Sequence, residues 1–132
     1  MAIYTKEIHN PIEKLVLGKN KKSTYYLTAN IFYSGTHFAV RKQIVDKVKL
    51  YLMSYLQDCP VITKPISISI GYQTPKNTRF DLDNKAFFWS KLLCDTLQSM
   101  KKIEDDSVQH IQQLHYFYKK GEPKIIFQFN EL

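Results

Sequence analysis

Two segments repeat apolar residues at three- and four-residue steps, the spacing that places side chains on one face of an α-helix. They cover residues 37–56 and 84–100. Cys59-Pro60 would end the first helix region, because proline disfavours helix in the residue before it. Trp89 falls on the apolar face of the second helix, so we expect it in the core. The two faces comprise Ile44, Val45, Val48, Leu52, Tyr55 and Leu56, and Ala86, Trp89, Leu93, Leu97 and Met100.

Other segments alternate apolar and polar residues or are rich in β-branched and aromatic residues, which predicts strands. These are 13–17, 24–32, 66–70, 108–118 and 125–129. A basic turn at 18–22, a polar loop at 72–80 and a connector at 101–106 separate them. Glycine and proline in 119–124 predict a hairpin that pairs the last strand with the one before it. This order predicts one domain over 1–132, an α/β (α+β) fold with a mixed β-sheet covered by two main helices.

Composition and net charge limit the kinds of partner that we expect for this chain. The chain of 132 residues is 44% hydrophobic and suits one packed domain. Its net charge of +7 favours nucleic acid over a membrane surface as a partner, although a basic soluble protein is the alternative. Without an 18-residue apolar run or a signal-peptide core, we expect no membrane partner and a cytoplasmic location. Cys59 and Cys94 lack zinc-site spacing and are expected to be reduced thiols.

Five of the twelve acidic residues lie in two short segments on either side of the second helix. Asp81 and Asp83 precede it, and Glu104, Asp105 and Asp106 follow it. On an extended segment, residues two apart point to the same side, so the first pair would chelate one ion. Mg²⁺ takes carboxylate, water and phosphate oxygens, and it lowers the pKa of water for phosphodiester hydrolysis. The alternatives are that Asp83 or Asn84 is a helix N-cap, and that Asp105-Asp106 is a turn.

Three motifs in the second half of the chain form a more specific pattern. They are Asp81-Leu-Asp83-Asn84, Lys91-Leu-Leu-Cys-Asp95-Thr-Leu97 and Ile103-Glu-Asp105-Asp106-Ser-Val-Gln109. Together they resemble the RusA family of Holliday junction resolvases, and from residue 80 onward the order of elements fits as well. Upstream, Leu27-Thr-Ala-Asn30 with His37 and Arg41 is a weaker counterpart of the family's N-terminal asparagine and basic segment.

The resemblance implies a Holliday junction resolvase, an endodeoxyribonuclease of DNA recombination and repair in a bacterium, phage or prophage. It implies a homodimer that uses Mg²⁺, with Mn²⁺ as a possible substitute, and no small-molecule cofactor. Asp81, Asp83 and Asp106 would be the catalytic, metal-holding carboxylates and Asp105 an auxiliary metal ligand. Lys91 would be the catalytic lysine. In the family this lysine commonly follows the second aspartate by four residues, where Phe87 stands here, so Lys85 is an alternative.

The spacing of the two acidic segments bears on oligomeric state. A helix over 84–100 is about 25 Å long, whereas five extended steps to Asp105 span at most about 17 Å. Asp106 would therefore not reach Asp83 in the same chain. An antiparallel two-fold dimer would bring the two segments together across subunits and create two composite sites.

We expect DNA to be held through its phosphates, with affinity that falls with salt. Tyr72 or Phe80 would be a wedge at the junction centre or, more simply, a core residue. Two other functions remain open: a non-catalytic DNA-binding or regulatory protein on the same fold, and a magnesium nuclease for flaps or forks. The candidate phosphate contacts are Lys19, Lys21, Lys22, Arg41, Lys42, Lys76 and Arg79.

Overall fold

The computed structural model describes residues 2–33, 35–75 and 81–132. It confirms the α+β class, with a mixed four-stranded sheet and a separate two-stranded hairpin. The elements in chain order are β1 (Ala2–His9), β2 (Lys14–Leu17), β3 (Ser23–Tyr26), α1 (Asn30–Tyr33), α2 (Phe38–Tyr55), β4 (Ile66–Thr74), α3 (Leu82–Ser99), β5 (Ile111–Lys120) and β6 (Lys124–Glu131).

The four-stranded sheet has the order β1-β6-β4-β5, and β2 and β3 form the hairpin. The inner strand β4 is parallel to β5 and antiparallel to β6. Its alternate residues from Ile66 to Tyr72 are buried, and those of β6 from Ile125 to Phe129 are buried in the same way. These side chains form one core with the helices. The strict alternation of 66–70 therefore predicted the buried face of β4 correctly.

Both predicted long helices are confirmed. His37 caps α2, since its Nδ1 accepts a hydrogen bond from the Ala39 amide at 3.2 Å. Helix α3 packs against β4, β5 and α2, and the Trp89 side chain is fully buried, with its ring 6.3 Å from that of Tyr51. In the described part of the chain, no helix has the length and apolar character of a membrane span.

The N-terminal third differs from the prediction. The strand expected over 24–32 ends at Tyr26, and 30–33 is a short helix instead. Turn hydrogen bonds join Thr28 to Tyr26 and Ile31 to Thr28, and the Ala29 amide donates to the Asn84 carbonyl at 2.9 Å. Docking against the start of α3 thus overrides the local strand propensity. Residues 2–9, for which the pattern predicted no element, form the edge strand β1.

The predicted hairpin between the last two strands is wrong. Strand β4 lies between β5 and β6, so the turn at 121–123 crosses the end of β4. The Gly121 amide donates to the Thr74 carbonyl at 2.9 Å, and Gln73 Nε2 donates to the Glu122 carbonyl at 3.0 Å. Two strand spacings amount to about 10 Å, which three extended residues can span. β5 also begins at Ile111, three residues later than expected.

The β2–β3 hairpin is attached beside the start of α3 through Glu13. The Tyr72 hydroxyl donates to Glu13 Oε1 at 3.1 Å, and Lys85 Nζ donates to Oε2 at 2.9 Å. The Leu27 amide also donates to the Glu13 carbonyl at 3.0 Å. One carboxylate therefore joins the hairpin, strand β4 and the first turn of α3.

Gly71 provides a test of the parallel β4–β5 pairing. A Cβ at this position would overlap the ring of Phe117 on β5. We expect Gly71→Ala to lower the free energy of unfolding by about 1–3 kcal/mol, because the ring must move. Ser69→Ala, on the same face of β4, is the matched control and should change it by less than about 0.5 kcal/mol. Equal urea-unfolding midpoints for the two variants would contradict this packing.

Candidate functional site

The aspartate pair lies at the N-terminal end of α3. Asp81 is the N-cap residue, with φ −79° and ψ 109°, and its side chain makes no capping hydrogen bond. Asp83 is in the first helical turn. The pair therefore does not lie on one extended segment, and the cap is neither Asp83 nor Asn84. Both carboxylates are nevertheless exposed and line the same cavity.

This acidic cavity has a volume of about 540 Å³. Its oxygen donors come from two elements, because the N-terminal segment docks against α3. The carboxylates lie close to a helix N-terminus, where the helix dipole favours negative charge. The lining residues are Ala29, Asn30, Tyr33, Asp81, Asp83, Asn84, Phe87 and Tyr116.

A second cavity of about 350 Å³ lies between α3 and β5, and we call it the lysine cavity. Lys91 and Asp106 both line it, so the structure brings these two predicted residues together. Phe87 and Tyr116 line both cavities, which therefore adjoin across an aromatic wall. Asp83 and Asp106 thus lie in neighbouring cavities.

Tyr116 is held by a chain of hydrogen bonds. Its hydroxyl lies 2.9 Å from Ser90 Oγ, which donates to the Phe87 carbonyl at 3.0 Å. A serine hydroxyl has one hydrogen, so Tyr116 is the donor to Ser90 while both bonds are made. The Tyr116 oxygen can still accept a hydrogen bond. The sequence pattern did not indicate this residue, because nothing local distinguishes it from Tyr118, the other tyrosine of β5.

The two candidate lysines have different surroundings. Lys85 pairs with Glu13 and lies 5.4 Å from the centroid of the Tyr72 ring. Lys91 is exposed, lines the lysine cavity and lies 5.6 Å from the centroid of the Phe32 ring. The charge of Lys85 is therefore engaged by a structural carboxylate, which favours Lys91 as the lysine that acts at the site.

The neighbouring aspartates after α3 also separate. Asp105 Oδ1 accepts a hydrogen bond from the Ser107 amide at 2.9 Å and lies 3.7 Å from His110 Nε2. Hydrogen bonds from Ser107 lower the pKa of Asp105, and His110 adds to this effect. Asp105 thus stabilises the turn and lines neither cavity. Its role as a metal ligand stays a prediction.

Within residues 2–33, 35–75 and 81–132, no group of three or more His, Cys, Asp or Glu side chains is placed to hold a metal ion. Asp81, Asp83 and Asp106 therefore do not converge in one chain. The two-carboxylate acidic cavity is the part of the predicted metal site that a single chain assembles.

The predicted DNA contacts fall into three groups. Lys19, Lys21 and Lys22 are exposed around the turn between β2 and β3. Lys42 instead pairs with Asp46 at 2.8 Å, and Arg41 is half-buried and donates to the Thr36 carbonyl at 3.2 Å. Tyr72 is 2% exposed and is a core residue. Lys76, Arg79 and Phe80 lie outside the described residues.

No protein-family model matches the chain, and a search of curated proteins finds no significant match.

The thiol of Cys94 lines the lysine cavity and reports on its environment. Burial, with the charge of Asp106 next, raises the pKa of Cys94 to about 12, and burial raises the pKa of Cys59 to about 11. At pH 8 the folded chain should therefore react with iodoacetamide far more slowly than the chain in urea. The rate should rise about tenfold per pH unit between 8 and 10. A plateau within that range, assigned with Cys59→Ser and Cys94→Ser, would be inconsistent with this environment.

Proposed function

We propose that this protein is a Mg²⁺-dependent endonuclease that hydrolyses phosphodiester bonds in branched DNA, with the four-way junction as its substrate. The observation that carries the proposal is the acidic cavity at the start of α3, adjoining a cavity that holds Lys91 and Asp106. These acids lie in a chain with a net charge of +7. Such a chain attracts the DNA backbone, while the local carboxylates offer a place for a cation.

The donors of the acidic cavity fit Mg²⁺. This ion usually binds one or two carboxylates and keeps waters or substrate phosphate oxygens as its other ligands. Asp81 and Asp83 would hold it, and the amide oxygens of Asn30 and Asn84 are further hard donors in the same cavity. When bound, the ion supplies water activation and neutralises charge on the phosphate. Mn²⁺ prefers the same oxygen ligands and should substitute.

The chain's own side chains would complete the site. The Lys91 ammonium would balance the negative charge that develops on the phosphate. The Tyr116 oxygen, oriented by Ser90, would accept a hydrogen bond from water between the two cavities. Asp106, exposed in the lysine cavity beside Lys91, would orient that ammonium or contribute to cation binding.

A homodimer would unite the separated acids. Asp106 and Cys94 line the same cavity, and Cys94 is eleven residues beyond Asp83, or about 16 Å along the helix axis. The outward side of α3 carries Asp83, Phe87 and Lys91 at four-residue intervals. In an antiparallel two-fold pairing centred on Phe87, Asp83 would face Lys91 of the partner subunit. The partner's Asp106 would lie beside that lysine, and the dimer would contain two composite sites.

Cleavage of a synthetic four-way junction tests the proposal. With Mg²⁺, we expect cleavage by the wild type and a loss on the order of 100-fold or more in Asp83→Asn. Binding should be equal or tighter, because a negative charge near the phosphates is removed. Asp58→Asn, which changes an exposed acid that lines neither cavity, is the control and should cleave normally.

The same assay separates the other functions. A panel of flaps, forks and four-way junctions would reveal a different branched substrate. A wild type that binds junctions but cuts no branched DNA with Mg²⁺ or Mn²⁺ would overturn the nuclease proposal and support a DNA-binding role.

Mixed dimers test the composite sites. Asp83→Asn and Asp106→Asn should each be inactive alone, whereas a dimer of one subunit of each keeps one site with all its acids. We expect this mixed dimer to nick one strand of the junction and not to make paired cuts. Failure of a folded mixed dimer to regain any metal-dependent cleavage would show that each subunit uses its own acids.

A further inference from the structure

Tyr33 is a large aromatic side chain placed at the rim of the acidic cavity. It is the last residue of α1 and is 73% exposed, although it lines the cavity together with Asp81 and Asp83. Its ring centroid lies 6.1 Å from that of Phe87 with an interplanar angle of 35°. The ring is therefore in contact with the aromatic wall but remains mostly open to solvent.

The packing of this segment is done by the neighbours of Tyr33. Ile31 is buried, and Phe32 stacks on Phe88 with centroids 5.7 Å apart and an interplanar angle of 29°. The Tyr33 side chain is thus surplus to the core. The exposed ring lies beside candidate cation ligands in a cationic chain. A ligand with a flat apolar face could stack on such a ring.

We infer that Tyr33 stacks against a nucleobase that has left the helical stack next to the phosphate held at the acidic cavity. This inference rests on the proposed function and makes Tyr33 a residue that selects branched substrates. Every base has a face that can stack on an aromatic side chain, whatever the sequence. The cavity has a volume of about 540 Å³, within the range of small-molecule sites, so a nucleobase has room to enter beside the ring.

Selectivity follows from the cost of freeing the base. In a continuous duplex each base is already stacked and paired, and extruding it costs most of what Tyr33 would return. At a branch point stacking is interrupted, so a base is available at a lower cost. The ring would therefore favour branched over linear DNA, although the phosphates of the two are alike.

The first experiment compares three variants. We expect Tyr33→Ala to lower kcat/KM on a four-way junction by about 5- to 150-fold, the equivalent of the roughly 1–3 kcal/mol contributed by one stacked base. Tyr33→Phe keeps the ring and should stay within about threefold of the wild type. Tyr26→Ala removes a tyrosine of 63% exposure that lines neither cavity and should leave cleavage unchanged. Equal urea-unfolding midpoints would show that all three variants are folded.

The second experiment identifies the partner of the ring. Junctions carry one abasic nucleotide at successive positions within three steps of the cut, and binding is measured in the Asp83→Asn background. At one position the abasic substitution and Tyr33→Ala should have non-additive effects, since each removes one side of the same contact. Additive effects at every position would overturn the inference. So would a Tyr33→Ala variant that prefers the four-way junction over linear duplex as strongly as the wild type does.

The outcomes separate this inference from the proposed function. The binding measurement needs no cleavage, so a protein that shows the Tyr33–base coupling but never cuts would refute the nuclease and keep the stacking contact. A nuclease whose junction selectivity survives Tyr33→Ala would refute the stacking contact alone.

Discussion

The start of α3 is held by groups from the first third of the chain, and the acidic cavity lies where these groups meet the helix. Glu13 accepts hydrogen bonds from Tyr72 and Lys85 through its two carboxylate oxygens. Burial raises the pKa of Tyr72, and the adjacent Glu13 charge raises it further, so the phenol remains a donor. A partly exposed ion pair contributes only about 0–1 kcal/mol. Its importance here is geometric, because it fixes the hairpin and the first helical turn against the same strand.

Helix α3 serves two purposes on opposite sides. Its apolar side, with Trp89 and Leu93 fully buried, packs into the core and sets the orientation of the helix. Its outward side presents Asp83, Phe87 and Lys91, one turn apart. Because the core fixes the helix, the positions of these outward residues relative to the sheet are fixed as well. This regular alternation of acid, aromatic and base is self-complementary under a two-fold rotation, which is the physical case for the proposed dimer.

The sequence predicted what depends on local periodicity. Helices 37–56 and 84–100 and the buried face at 66–70 were found because their apolar spacing is a property of neighbouring residues. The order of strands was not, since insertion of β4 between β5 and β6 is decided by packing across the whole sheet. Residues 30–33 failed as a strand for the same reason: the Asn84 carbonyl that anchors them is more than fifty positions away.

The candidate site was predicted in part. Clustering of acids in a cationic chain singled out Asp81 and Asp83, which line one cavity, although the backbone between them is a helix start and not a strand. The sequence could not distinguish the roles of Asp105 and Asp106, because both are aspartates. Only the fold shows that the Asp105 carboxylate accepts a hydrogen bond from the Ser107 amide. Tyr33 was not predicted as a site residue, because the spacing of residues along the chain does not show whether an aromatic side chain is exposed.

Basic side chains, acidic side chains and the exposed ring of Tyr33 would have different roles in the proposed enzyme. Cations such as Lys21 and Lys22 would attract any DNA, because phosphates are the same in linear and branched forms. The acids would supply a place for the metal and are equally indifferent to DNA shape. In the proposed enzyme, selection of a branch would therefore come from features that depend on DNA geometry, namely the spacing of two sites across the proposed dimer and a ring that would accept a freed base. The outward side of α3 and the rim at Tyr33 are where the fold offers these features.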